Sequence, residues 1–123
     1  MLALEKIRLP LRGLEQWQKF FADVLELDVE LGDAGEFILQ LAELRLCFYE
    51  SETSVTEFFF ALTEVEAEEV AARWQFFNFR QHHEFTWNEE QRSFTGPGKT
   101  RCILTSSQNI LRRENPSISV RNC

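Results

Sequence analysis

Apolar residues recur at every second position through Ile7, Leu9 and Leu11, and again through Phe58, Phe60 and Leu62. A period of two places such residues on one face of an extended chain, so each run predicts a strand with one packed face. Both runs pass through a brief turn into a stretch of helical period. Leu14, Trp17, Phe20, Phe21, Val24 and Leu25 recur at three-to-four spacing and predict a helix over about 14–27 with one apolar face. Val65, Val70, Ala71 and Trp74 predict a second over roughly 65–77, where Glu64, Glu66, Glu68 and Glu69 suit the positive end of a helix dipole. The copies are offset by about 51 residues, Lys6 to Glu57, which marks an internal repeat of one supersecondary unit.

Each helix is followed by three further strand signals. In the first copy these are 28–31, 37–41 and 44–49, with a Gly32-Asp33-Ala34-Gly35 turn and a hairpin at Ala42-Glu43. In the second they are 82–87, 92–95 and 101–105, the last preceded by Gly96-Pro97-Gly98. The pattern reads βαβββ twice, in modules of about 1–51 and 55–107. From 108 to 123 it fades into a polar, basic tail containing Pro116.

The 123 residues suffice for one domain with a single core, and a composition of 44% hydrophobic and 27% charged is that of a soluble globular chain. No apolar run reaches the ~20 residues of a membrane span and the N-terminus lacks a secretory pattern, so a cytoplasmic location is expected. Cys47, Cys102 and Cys123 are an odd number without metal-ligand spacing, which predicts reduced thiols. A formal charge of −7 argues against nucleic acid as a partner, because neutralising phosphates needs a basic surface.

The chain resembles the vicinal oxygen chelate superfamily of glyoxalase I, bleomycin-resistance proteins, fosfomycin-resistance enzymes and extradiol dioxygenases. The resemblance is carried by Ile7-Arg8-Leu9-Pro10-Leu11 leading into Leu14-Glu15 and Phe20-Phe21, by Val24-Leu25-Glu26-Leu27, by Leu44-Arg45-Leu46-Cys47-Phe48-Tyr49, and by Gly96-Pro97-Gly98 before a last strand. It implies an α+β fold of paired βαβββ modules, forming a curled, partly open mixed sheet with helices outside and a central groove. It also implies a homodimer. Enzymes of that family hold a divalent metal on the first and last strands of each module, positions that fall here on Lys6, Glu57, Arg45 and Ile103. Only Glu57 has a suitable donor, and neither Cys102 nor Leu104 brings a carboxylate if the register slips by one. The expectation is a chain with no metal site and no cofactor.

Alternation names the groove face. If Ile7, Leu9 and Leu11 pack under the helices, Lys6, Arg8 and Pro10 face the groove, as do Arg45, Cys47 and Tyr49, then Glu57, Phe59 and Ala61, then Arg101, Ile103 and Thr105. Lys6, Arg8, Arg45 and Arg101 meet only Glu57 among those positions, a surplus of positive charge that favours a small anionic ligand. The competing explanation is that these side chains pair with Glu57, Glu43 or the tail and tile a solvated face. Tyr49 and Phe59 are placed to stack on a planar ligand, while Phe20, Phe48, Phe58 and Phe60 belong to the core.

His82-His83-Glu84 is a second constellation. As the start of a strand it puts His82 and Glu84 on one face and His83 on the other. With Glu57 these residues compose the alternative, a metal-dependent lyase or dioxygenase with relocated ligands; a polar strand start is the plainer explanation. Cys47 reads as a small buried residue unless Arg45 or Lys6 activates its thiol. Phe76, Phe77 and Phe79 cannot share one helical face with Trp74, so some are expected exposed at the helix end, as a dimer contact or a scaffold for a protein partner.

Overall fold

The computed structural model describes residues 2–54 and 56–106. The expected tail at 108–123 lies outside the described residues, as does the side chain of Phe79. The first module comprises β1 (Ile7–Leu11), α1 (Leu14–Asp23), β2 (Asp28–Leu31), β3 (Phe37–Leu41) and β4 (Leu44–Glu50). The second comprises β5 (Glu57–Leu62), α2 (Glu64–Gln81), β6 (Thr86–Asn88), β7 (Ser93–Thr95) and β8 (Arg101–Ser106).

Each module builds a four-stranded mixed sheet with the same topology, β1-β4-β3-β2 and β5-β8-β7-β6. In both, the first strand lies parallel to the last and the remaining pairs are antiparallel. The parallel pairing follows from connectivity. A strand followed by a helix can return beside itself only through a crossover, whereas β2, β3 and β4 are joined by turns short enough for antiparallel neighbours.

Helix α1 has Gly13 at its N-cap with φ 77, a left-handed conformation suited to glycine, and no capping side chain of its own. The cap arrives from β4, where the Glu50 carboxylate accepts hydrogen bonds at 3.1 Å from the Gly13 and Leu14 N–H groups. The helix ends at Asp23, four residues earlier than its apolar period predicts. Glu26 reverses the chain at φ 55 and the Leu27 N–H returns to the Phe21 carbonyl at 3.0 Å. Leu25 nonetheless stays in the core, so the spacing outlasts the helix.

Helix α2 opens with a capping box in which Thr63 and Glu66 satisfy each other's backbone N–H. It runs to Gln81, past the predicted end, and shortens the predicted 82–87 strand to Thr86–Asn88. His82 and Phe85 are both buried three residues apart, a spacing that fits the turn closed by Phe85 N–H to His82 C=O and not a strand.

One apolar core serves both modules. Trp17 meets Phe58 and Phe85, Phe20 stacks on Phe85 at 4.5 Å between ring centres and meets Phe94, and Phe21 meets both Phe48 and Phe58. Edge-to-face and stacked aromatic pairs of this kind add to the area they bury. Gly96 is required where it stands, because a Cβ there would lie 2.4 Å from Phe85 and 2.8 Å from Trp17. Arg73 of α2 caps the end of α1, its Nε donating to the Val24 carbonyl at 2.8 Å.

Candidate functional site

The helices cover only one face of each sheet. On the other, the β1–β4 register sets Arg8 beside Cys47 and Pro10 beside Tyr49, and β3 adds Ile38 and Gln40 opposite Cys47 and Arg45. On the second sheet the register sets Glu57 beside Arg101, Phe59 beside Ile103 and Ala61 beside Thr105. The groove-face residues named from alternation thus lie on the uncovered faces of their sheets, with Lys6 exposed one position ahead of β1. They form two groups, one on each sheet.

Across the internal repeat, Ile7 pairs with Leu46 as Phe58 does with Cys102. Arg45 is therefore the counterpart of Arg101, and Cys47 that of Ile103, in place of the Arg45 and Ile103 pairing that the family pattern suggests. With either pairing the compared last-strand positions, Arg45, Cys47, Arg101 and Ile103, carry no carboxylate.

The expected surplus of positive charge is reduced by acids on β2 and before β3, which pair with Arg45 and Arg8. Arg8 donates to Glu36 at 3.1 Å and lies 4.5 Å above the Tyr49 ring, a cation–π contact. Arg45 donates to Glu30 at 3.1 Å. The other carboxylate oxygen of Glu36 accepts from Cys47 Sγ at 3.4 Å, so the buried thiol is held under a guanidinium–carboxylate pair. On the second sheet Arg101 binds both Glu57 and Gln91. Glu30 and Glu36 were legible: Phe37 and Leu39 mark the packed side of β3, and counting by twos sends Glu36 to the open side. Reading only the first and last strands of each module missed them.

These pairs are open to solvent on a sheet face. Phe59, 63% exposed, stands with Ile103 beside the Glu57–Arg101 pair. The other buried thiol, Cys102, belongs to the packed side, where burial pushes its pKa up and leaves it inert.

His82-His83-Glu84 does not form the strand-borne site its sequence suggests. His82 is fully buried at the end of α2 among Phe20, Phe77 and Phe85, with Nε2 3.4 Å from Asp23. His83 and Glu84 lie at the surface, 3.3 Å apart. Glu57 is on the open side of β5, whereas His82 lies in the core. Among the described residues, no three His, Cys, Asp or Glu side chains stand together as a metal site.

No protein-family model matches the sequence, and no curated protein matches it. Solved structures do match the fold. Oxidase ChaP-H2 superposes with a TM-score of 0.61 at 15% identity, over 86% of this chain and 94% of that one. The fosfomycin resistance protein FosX from Listeria monocytogenes, complexed with Mn(II) and sulfate ion, gives 0.60 at 15% identity over 86% and 90%. Lactoylglutathione lyase from Agrobacterium tumefaciens gives 0.58 at 14% over 89% and 96%.

The fold is that of the vicinal oxygen chelate superfamily. Within it, the first- and last-strand positions of this chain carry Lys6, Arg45, Glu57 and either Arg101 or Ile103. A hard divalent ion needs several oxygen or imidazole donors, and the single carboxylate in that set already holds a guanidinium.

Proposed function

We propose that this chain binds a small organic molecule with an anionic group on the uncovered sheet faces, without a divalent metal. The observation that carries this reading is the commitment of Arg8 and Arg45. A guanidinium has five N–H donors, and among the described residues each of these arginines makes one hydrogen bond, to Glu36 or to Glu30. The remaining donors on a shared face, with Lys6 nearby in sequence, suit a carboxylate or phosphate. Tyr49, Phe59 and Ile103 supply apolar surface for the rest of a ligand. A homodimer in which a second copy covers these faces is part of the same proposal.

The test is a thermal-shift panel of small carboxylates, phosphate esters and aromatic acids at low and raised salt. Arg45→Glu should weaken the best anion by more than the ~1 kcal/mol of a screened surface charge, and added salt should weaken it further. Glu30→Gln releases Arg45 and should tighten it. Equal stabilisation by neutral compounds, indifferent to both substitutions, would refute the anionic reading. Manganese, nickel and zinc should leave the melting temperature unchanged, although an ion at 100 times its Kd would add about 2.7 kcal/mol. Tight one-to-one metal binding abolished by Glu57→Gln would refute the metal-free reading.

A further inference from the structure

The two modules fill the space under their helices differently. Counted from the N-caps Gly13 and Thr63, the fourth and eighth residues of α1 are Trp17 and Phe21, and those of α2 are Ala67 and Ala71. Strand pairing extends the comparison. As Cys47 corresponds to Ile103, Phe48 corresponds to Leu104; Phe37, opposite Phe48, then corresponds to Arg92, whose carbonyl accepts from the Leu104 N–H at 2.9 Å just ahead of β7. In the first module Phe21, Phe37 and Phe48 form a buried triad with ring centres between 5.0 and 6.1 Å apart. The same three places in the second module hold Ala71, Arg92 and Leu104.

Where those rings are absent, an apolar cleft of about 340 Å³ opens beside Ala67 and Ala71, with the buried Val70, Phe94 and Leu104 as its floor. Trp74 and Trp87 wall it, half-buried, each packed on Phe94 with ring centres 5.0 and 4.5 Å away. Their counterparts in the first module are Val24 and Val29, so aromatic surface has moved from the packed centre to the sides of an opening. The rim carries Gln75, Glu89 and Arg92. Glu89 is engaged, accepting from Trp87 Nε1 at 2.9 Å. Glu64 and Glu68 border the adjoining hollow with Arg92, yet among the described residues no carboxylate pairs with its guanidinium.

We propose that this cleft is a binding site for a planar aromatic acid. Its ring fills the space left at Ala67 and Ala71 against Trp74 and Trp87, where offset and edge-to-face contacts are available, and its carboxylate meets the fork of Arg92. The volume suits one small molecule. The site lies on the helix side of the second sheet, so its occupation does not depend on a ligand at the sheet faces.

Calorimetric titration of the full chain with 1-naphthoate, beside its neutral analogue 1-naphthalenemethanol, tests the site. Binding of naphthoate should slow hydrogen exchange in 67–75 and 86–94. Arg92→Gln should weaken naphthoate about tenfold, the loss of a charge-assisted pair, and leave the alcohol unchanged. Ala71→Phe restores the residue of the first module; it should abolish binding of both compounds and raise the melting temperature, because it fills an open cleft. Arg45→Glu, which probes the sheet-face site, should leave the exchange protection in 67–75 and 86–94 intact. Absence of naphthoate binding by the parent chain would overturn the proposal. Naphthoate binding that Arg45→Glu removes while Arg92→Gln and Ala71→Phe do not would overturn it too, by placing the acid on the sheet face. So would a parent chain that sediments as a dimer and becomes a monomer in Ala71→Phe, since a second copy would then occupy the cleft.

Discussion

His82 is the one imidazole that the packing isolates. Burial holds its pKa below the ordinary value of 6.5, opposed by the nearby Asp23 carboxylate, and desolvation is the larger effect. Nδ1 has no hydrogen-bond partner among the described residues, and Nε2 faces only the Asp23 carboxylate, at 3.4 Å. The unfolded chain therefore takes up a proton at His82 at a pH where the folded chain does not, and stability falls as pH drops through 6.5 toward the lower folded value. Denaturant midpoints measured between pH 7.5 and 5.5 should decline in the parent and be flatter in His82→Leu, which keeps an apolar side chain in place. An equal decline in both would place the titration on other groups. Nothing in the residue pattern marks His82 as buried. A His-His-Glu run looks alike whether it starts a strand or ends a helix, and only the extension of α2 to Gln81 turns this imidazole inward.

Helix α1 owes its start to a residue 36 positions beyond Leu14, since among the described residues Glu50 offers the side-chain acceptors to the Gly13 and Leu14 N–H groups. Glu50→Ala should lower stability by about 1–2 kcal/mol in chemical denaturation, comparable to loss of an N-cap, and Glu50→Gln should recover part of it. Loss below ~0.3 kcal/mol would mean that solvent serves these donors equally well. Helix α2 is the contrast, because its Thr63-Glu64-Val65-Glu66 capping box is local. Sequence reading locates a start of the second kind and is blind to the first. The same division separates the helix ends. Apolar period ran on through Leu25, but backbone geometry at Glu26 had already turned the chain.

The two modules are joined where Trp17, Phe20 and Phe21 of the first reach Phe58, Phe85 and Phe94 of the second, over a backbone kept close by Gly96. Gly96→Ala should destabilise the whole protein by ~1–3 kcal/mol, because its methyl would overlap Phe85 and Trp17. A single unfolding transition at a lower midpoint is expected. Two separated transitions would show that the modules fold apart. What the linear chain settled was the order of elements, the repeat and the packed side of the first and last strand of each module, since periods of two and 3.6 are set by backbone geometry and survive in any environment. Folding settled which charges meet. Arg8 and Glu36 are 28 residues apart, and Arg101 and Glu57 are 44 apart. Such pairs follow from strand order, β4 between β1 and β3 and β5 beside β8, which a strand's own residues do not encode. Three of the four basic residues counted along those strands, Arg8, Arg45 and Arg101, thus became neutral pairs once the neighbouring segments brought their carboxylates alongside.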